Sequence, residues 1–198
     1  MDIAVIIPAY NEEKTIANVI KEYQKALPEA AVYVGDNNSV DRTAELASAA
    51  GAVVIPCEKQ GKGNAVRKML EEVNADIYVM IDADETYSAS NVRELIEPVA
   101  NRKADMVVGA RKQISKKAFS FSHKIGNWVL TTILNRFFKV QLKDILSGYR
   151  VMSRQLVDNL ILLAKGFEIE AELNIRCLQE HYKILEIPID YRNRPDGS

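Results

Sequence analysis

The sharpest chemical signal in the sequence is a pair of aspartates, Asp82 and Asp84, at the end of an apolar run. Residues two apart in a strand point to the same side, so both carboxylates face one place. Two neighbouring carboxylates repel each other unless a cation lies between them, and Mg²⁺ or Mn²⁺ prefers such oxygen ligands. The pair therefore predicts a divalent cation that also holds substrate phosphates. The alternative is a solvated turn with two capping aspartates.

Three further polar segments follow apolar runs earlier in the chain, at residues 8–13, 36–43 and 59–64. In the last of them, Gly61-Lys62-Gly63 offers a flexible backbone and one cation, which suits close approach to a phosphate or ribose. Asp36 can accept hydrogen bonds from a base or a ribose, and the alternative is an Asx turn that leads into a helix. Neither a Walker loop nor a dinucleotide-binding fingerprint is present.

The elements that must position these segments alternate regularly over the first 110 residues. The predicted strands are 3–7, 31–35, 52–56, 76–81 and 105–109, and the predicted helices are 13–26, 41–50, 64–73 and 90–100. This alternation predicts a doubly wound α/β sheet. Such sheets bind ligands at the carboxyl ends of their strands, which is where the four polar segments lie.

The pattern changes after residue 110. A basic, polar stretch (111–124) precedes a helix with an apolar stripe, a second helix (170–181) and a strand (184–191). The stripe consists of Phe121, Ile125, Trp128, Val129, Ile133, Phe137 and Val140. We expect one domain over 1–198 that consists of two halves, 1–110 and 111–198. The C-terminal residues 194–198 have a loop composition, which is consistent with a trimmed chain.

Charge and composition exclude several classes of protein. The chain of 198 residues has 26 Lys and Arg against 27 Asp and Glu, a net charge of −1 that argues against a bulk nucleic-acid binder. Residues 106–143 nevertheless contain eight Lys or Arg and no Asp or Glu. Two cysteines make no disulfide framework, and neither a signal peptide nor a membrane-spanning run is recognisable. We expect a cytoplasmic protein.

The ordered set of motifs resembles the family 2 glycosyltransferases, in particular their polyprenyl-phosphate (dolichyl-phosphate) sugar transferase branch. The motifs are 6–13 (IIPAYNEE), 36–43 (DNNSVDRT), 61–63 (GKG), 82–84 (DAD), 109–111 (GAR), 144–150 (DILSGYR), 166–170 (GFEIE) and 186–189 (EIPI). The resemblance covers nearly the whole chain. It implies an α/β fold of the GT-A type, a Rossmann-like sandwich with a mostly parallel central sheet flanked by helices. It also implies a nucleotide-diphosphate sugar donor, a UDP- or GDP-sugar, with 1–110 as the nucleotide-sugar-binding half and 111–198 as the acceptor-side half.

The resemblance also implies roles for individual residues. The implied donor-binding residues are Pro8, Tyr10, Glu12, Asp36, Lys62, Asp82 and Ala83, and the implied metal ligands for magnesium or manganese are Asp82 and Asp84. The residues implied to face the acceptor phosphate or the diphosphate are Arg111, Ser147, Arg150 and Arg194. The implied catalytic residues are Asp84, Asp144 and Arg150. Many relatives have Gln two residues after the second Asp, where this chain has Thr86 beside Glu85.

These features predict a metal-dependent transfer of a hexose to a polyprenyl phosphate. An anionic phosphate needs positioning more than a base, whereas a hydroxyl acceptor needs a base, for which Asp144, Glu168 and Glu170 are the candidates. The alternative is a family 2 enzyme that acts on a saccharide or another non-phosphate acceptor. A nucleotidyltransferase would be expected to carry a basic, Gly-rich loop after the first strand, whereas residues 9–12 (AYNE) are neither basic nor Gly-rich. A binding module without activity is disfavoured because both aspartates of the pair are present.

The basic segment predicts a surface partner. Its cations attract anionic lipid headgroups, and the apolar stripe fits the membrane interface, so 111–143 is a candidate for peripheral contact with the cytoplasmic membrane face. The alternatives for this helix are packing on the sheet or a contact between copies in a homo-oligomer.

Overall fold

The computed structural model describes residues 1–112 and 121–195, and for residues 121–125 only the backbone is described. A seven-stranded sheet lies at the centre. Its strands are β1 (Ile3–Ala9), β2 (Ala31–Asp36), β3 (Val53–Pro56), β4 (Ile77–Met80), β5 (Met106–Arg111), β6 (Arg150–Ser153) and β7 (Ile184–Ile189). The helices are α1 (Ile16–Ala26), α2 (Thr43–Ala49), α3 (Lys62–Glu72), α4 (Val92–Ala100), α5 (Phe121–Phe138), α6 (Arg154–Asn159) and α7 (Ile169–Gln179), with a 3₁₀ turn at Ala89–Asn91.

The strand order is β3-β2-β1-β4-β6-β5-β7. Strands β1 to β4 pair in parallel, and β5 pairs in parallel with β7, whereas β6 runs antiparallel between β4 and β5. The parallel part places the carboxyl ends of β1, β2 and β4 at one edge of the sheet. The segments that follow these strands therefore come together, as the sequence predicts.

Apolar layers cover both faces of the sheet. In β1 every residue is buried, and alternate residues enter opposite cores: Val5 and Ile7 pack with α1 and α4 residues, whereas Ile6 packs with α3 and α7 residues. Burial of one such aliphatic side chain contributes about 1.5–3 kcal/mol. Because both faces are covered, the strands read as continuous apolar runs rather than as alternating patterns.

The first half of the chain confirms the predicted strand and helix order, with ends that differ by a few residues. The sequence prediction missed β6 and α6, because the four residues of β6 lie in a segment that reads as a polar motif. The predicted last strand ends at Ile189, and Tyr191 makes only an isolated bridge with Tyr87.

Helix α5 departs from a simple apolar stripe. Its buried side carries Thr131 and Leu134, and Leu134 packs with Leu142 and Ile145. Trp128, Ile133 and Phe137 are exposed, while the side chains of Phe121 and Ile125 lie outside the described part. Among the described residues, no helix is both long and apolar enough to cross a membrane.

Candidate functional site

A cleft of about 470 Å³ opens at the carboxyl ends of β1 and β4. Eight of the residues implied by the resemblance line it: Pro8, Tyr10, Glu12, Lys62, Asp82, Ala83, Asp84 and Arg194. Ala9, Asn37, Gln60, Gly61 and Phe167 complete the lining. Residues from both halves of the chain therefore meet in one cleft, although 182 positions separate Glu12 from Arg194.

The two aspartates are held in different ways. Asp84 Oδ1 accepts hydrogen bonds from the hydroxyl of Thr86 at 2.5 Å and from its backbone N–H at 3.2 Å. Asp82 packs against Gly148, where an added Cβ would lie only 2.5 Å from Asp82 Oδ2. Thr86, which departs from the family pattern, therefore fixes the second aspartate, and a glycine leaves room for the first.

Lys62 connects the first aspartate to the second half of the chain. Its Nζ donates to Asp82 Oδ1 at 2.5 Å and also to Glu170 Oε1, and Glu170 is almost fully buried. Burial alone would lower the pKa of Lys62, but the charges of Asp82 and Glu170 raise it well above the ordinary lysine value. The lysine therefore stays charged and orients Asp82.

Glu12 and Arg194 also line the cleft and pair with each other. Arg194 Nη2 donates to Glu12 Oε1 at 2.5 Å, and its Nε lies 3.9 Å from Asp84 Oδ2. Thr15 also donates to the Glu12 carboxylate. Burial raises the pKa of Glu12, although Arg194 and Thr15 act in the opposite direction. One arginine near the C-terminus thus contacts both Glu12, in the segment that follows β1, and Asp84.

The segment after β2 contributes a residue that the sequence reasoning missed. The Asn37 side chain donates to the carbonyl oxygens of Cys57 and Lys59 and accepts from the N–H of Gly61 at 2.6 Å. It thereby fixes the loop that leads to Lys62. Asp36 does not line the cleft, and among the described residues its buried Oδ1 has no hydrogen-bond partner. The sequence feature that could have indicated Asn37 is its position directly after strand β2.

Arg111 and Asp144 form a buried pair outside the cleft. Two guanidinium nitrogens of Arg111 donate to the carboxylate at 2.6 and 2.7 Å, and Asn127 donates to it from α5 at 3.1 Å. Burial alone would raise the pKa of Asp144, but the hydrogen bonds and charge of Arg111 hold it below its usual value. A carboxylate so engaged is a weak base. The Arg111 guanidinium also stacks over the ring of Tyr191, 5.3 Å from its centroid.

Arg150 and Ser147 differ from their implied roles. Arg150 is 0% exposed and donates to the carbonyl oxygens of Ser147 and Ile145 and to Asn174 Oδ1. Ser147 is also 0% exposed, and its hydroxyl donates to the carbonyl of Gly109 at 2.6 Å. The expectation that these two side chains face a phosphate is therefore corrected, because their polar groups point into the protein. They hold the loop that ends at Gly148.

Comparison with known proteins identifies the family. The sequence profile described as "Glycosyl transferase family 2" matches residues 4–161. The chain belongs to this family. It is 34% identical to "Glycosyltransferase AglJ" of Haloferax volcanii, over 99% of this chain and 65% of that protein. It is 30% identical to the "Dolichyl-phosphate hexose transferase" of the same organism, over 98% of this chain and 84% of that protein.

A solved relative confirms the fold. The glucosyl-3-phosphoglycerate synthase of Mycobacterium tuberculosis, in complex with Mn²⁺, UDP and phosphoglyceric acid, superposes with a TM-score of 0.81 at 26% identity. The match covers 98% of this chain and 72% of that one. The fold is thus the GT-A-like α/β sandwich, and the protein is a family 2 glycosyltransferase that is similar to a member of the polyprenyl-phosphate sugar transferase branch, the dolichyl-phosphate hexose transferase.

Proposed function

We propose that this glycosyltransferase moves a hexose from a UDP- or GDP-sugar to a polyprenyl phosphate. The observation that carries the proposal is the meeting of Asp82 and Asp84 with Lys62 and Arg194 in one cleft. Paired carboxylates and fixed cations are the groups that hold a nucleotide diphosphate in a site where charge develops on the leaving group. The name of the 30% identical relative supports a lipid phosphate as acceptor.

The aspartate pair fits a divalent cation. Asp82 Oδ2 accepts no hydrogen bond from the described residues, and Asp84 Oδ2 has only the Arg194 contact at 3.9 Å among them. No group of three or more His, Cys, Asp or Glu gathers as a metal cage in the described part of the chain. Two carboxylates suit Mg²⁺ or Mn²⁺, which completes its shell with phosphate oxygens and water. When bound, this ion supplies charge that stabilises the departing diphosphate.

The side chains of the cleft have separate tasks in this reaction. Tyr10 is about half-exposed and offers an aromatic face beside Pro8 for the nucleobase. Lys62 orients Asp82, and Arg194 adds a positive charge beside Asp84. An oxygen of the acceptor phosphate forms a bond to the anomeric carbon of the hexose. The bond from that carbon to the diphosphate breaks, and its electron pair leaves with the nucleoside diphosphate.

The state of the candidate bases favours an acceptor that is already anionic. Asp144 is paired with Arg111, and Glu170 is paired with Lys62. Glu168 accepts from the backbone N–H groups of Gly166 and Lys165, which lower its pKa. An ionised phosphate has no proton to lose, so this reaction needs none of the three as a base.

An apolar rim beside the charged groups favours a lipid on that phosphate. Phe167 lines the cleft, is 79% exposed, and lies over Lys62 with 5.7 Å between Nζ and the ring centroid. Ile161 and Leu163, just before it, are also exposed. A saccharide acceptor would find few hydrogen-bonding groups on such a rim, whereas the first prenyl units would bury apolar surface there.

Donor turnover with defined acceptors tests the proposal. We expect Asp82→Asn and Asp84→Asn each to lose about 100-fold or more in transfer from a UDP- or GDP-sugar with Mn²⁺ present. Asp158→Asn, which breaks only an exposed ion pair with Arg154, serves as the matched control and should retain full activity. Full turnover by both site variants would refute the carboxylate role. Transfer to a saccharide, with none to polyprenyl phosphate, would establish the alternative acceptor.

A further inference from the structure

We propose that the exposed side of α5 docks on an anionic lipid bilayer. The α5 apolar face is defined here as Trp128, Val129, Leu130, Ile133 and Phe137, all of which are exposed. Phe137 is 78% exposed, Trp128 68% and Ile133 61%. Large apolar groups gathered on one exposed helix side mark an interaction surface rather than ordinary surface scatter.

The opposite side of α5 is fixed, so the apolar face is held outward. Leu134 packs with Leu142 and Ile145, and the Asn135 side chain both accepts from Leu142 N at 2.9 Å and donates to Leu142 O at 2.7 Å. Asn127 donates to Asp144 near the start of the helix. Because these contacts lie along the helix, rotation that would bury the exposed side would break all of them.

The charges around the face select the occupant. Arg136, Lys139 and Lys143 are exposed beside it, and no Asp or Glu occurs between residues 106 and 143. Two acids close to the end of this segment are already engaged: Glu186 accepts from the backbone N–H groups of Lys143 and Asp144, and Asp144 is paired with Arg111. Cations beside an apolar helix side complement anionic headgroups, at about fivefold in binding for each Lys or Arg near the surface.

A second copy of the chain fits this surface less well. A two-fold contact places the same patch of both subunits together, so the three cations would face a like-charged set. An anionic bilayer instead accepts Trp and Phe at the level of its headgroups while its phosphates meet Lys and Arg. The helix would lie in the plane of the interface.

Docking through α5 would bring the edge of the sheet that carries the cleft near the lipid. Asn127 connects α5 to the Arg111–Asp144 pair, and Arg111 is the last residue of β5. A lipid phosphate acceptor would then be delivered from the surface on which the enzyme rests. The docking itself does not rest on the proposed function, because binding to vesicles needs neither donor nor turnover.

The chain contains a single tryptophan, and it lies in this face, so its fluorescence reports docking directly. We expect the Trp128 emission to shift to shorter wavelength, and the protein to float, with vesicles of phosphatidylcholine and phosphatidylglycerol but not with phosphatidylcholine alone. The double variant Ile133→Asn/Phe137→Asn should abolish flotation. Arg136→Gln and Lys139→Gln should each weaken binding about fivefold.

The matched control is Val40→Asn, since Val40 is exposed but lies outside α5. It should float like the wild type, and far-ultraviolet circular dichroism should show that every variant is folded. Equal binding to neutral vesicles, or no binding to either composition, would overturn the proposal. An emission shift that follows protein concentration without lipid would assign the face to a second copy and would also overturn it.

Discussion

Substitution of Gly148 by alanine should damage catalysis much more than stability. An ideal Cβ at this position would lie 2.5 Å from Asp82 Oδ2, 2.7 Å from Oδ1 and 2.8 Å from Cγ. The carboxylate must therefore retreat by about 0.9 Å to reach the 3.4 Å at which ordinary van der Waals contact begins. Its hydrogen bond with Lys62, 2.5 Å in the native protein, would be displaced with it.

The expected magnitude follows from the cost of misplacement. A shift of about 1 Å in a group that positions the reacting atoms costs on the order of 100-fold in rate, or about 2.7 kcal/mol in the activation free energy. Because Asp82 is partly exposed, its side chain can move towards the cleft without breaking the core. We expect the loss in kcat, with a loss of unfolding free energy of only about 1–2 kcal/mol.

The assay is hydrolysis of a UDP- or GDP-sugar at saturating Mn²⁺, without lipid, together with thermal unfolding. Gly126→Ala is the matched control, because the same added methyl group meets no atom within 4 Å there. Within α5 it should stabilise the helix by up to about 1 kcal/mol and leave turnover unchanged. Gly148→Ala with wild-type kcat and a native circular dichroism spectrum would refute the steric argument.

Three other predictions concern the buried groups. Arg150→Lys should lower the unfolding free energy by roughly 2–3 kcal/mol and leave the acceptor KM of the folded enzyme unchanged. If Arg150 bound the acceptor phosphate, the same substitution would raise the acceptor KM. Asp144→Asn should cost about 3–5 kcal/mol at pH 7 in chemical denaturation, because the buried Arg111 guanidinium loses the carboxylate charge that it pairs with. Since the pKa of Asp144 is lowered, the stabilisation is present above about pH 4 and is lost as pH falls through the folded pKa, so the difference between wild type and variant should shrink in acid. Burial raises the pKa of Cys57 to about 11 and of Cys177 to about 12, so iodoacetamide at pH 8 should label both thiols only after unfolding; rapid labelling of the native protein would contradict the burial.

The local parts of the site were predictable from the sequence. Asp82 and Asp84 follow the apolar strand β4, and the rule that parallel strands share a carboxyl edge brings Glu12 and Lys62 to the same cleft. Each of these inferences needs only the neighbours of a residue and the order of the elements. The resemblance added Arg194, which local patterns do not connect to the site.

The features that the sequence did not predict correctly depend on contacts between residues that lie far apart along the chain. Arg150 is the last residue of a polar motif (144–150), but its position at the start of an antiparallel inner strand buries it against Asn174 of α7. The pairing of Lys62 with Glu170 joins residues 108 positions apart, and no period in the sequence indicates it. For α5, the sequence shows apolar residues and their spacing but not that Leu134 is the one turned inward.

The antiparallel insertion of β6 has a consequence for how the chain is made. On a ribosome, β1 to β4 emerge first, but the inner flank of β4 finds its partner only when Arg150 arrives to pair with Met80. Until then a buried, apolar strand presents open hydrogen-bonding groups, which is the situation that invites aggregation. Such late pairing over a long sequence separation also slows folding. The chain therefore cannot be divided between its two halves without leaving β4 with an unpaired, aggregation-prone edge. A fragment that stops near residue 112 should precipitate rather than fold.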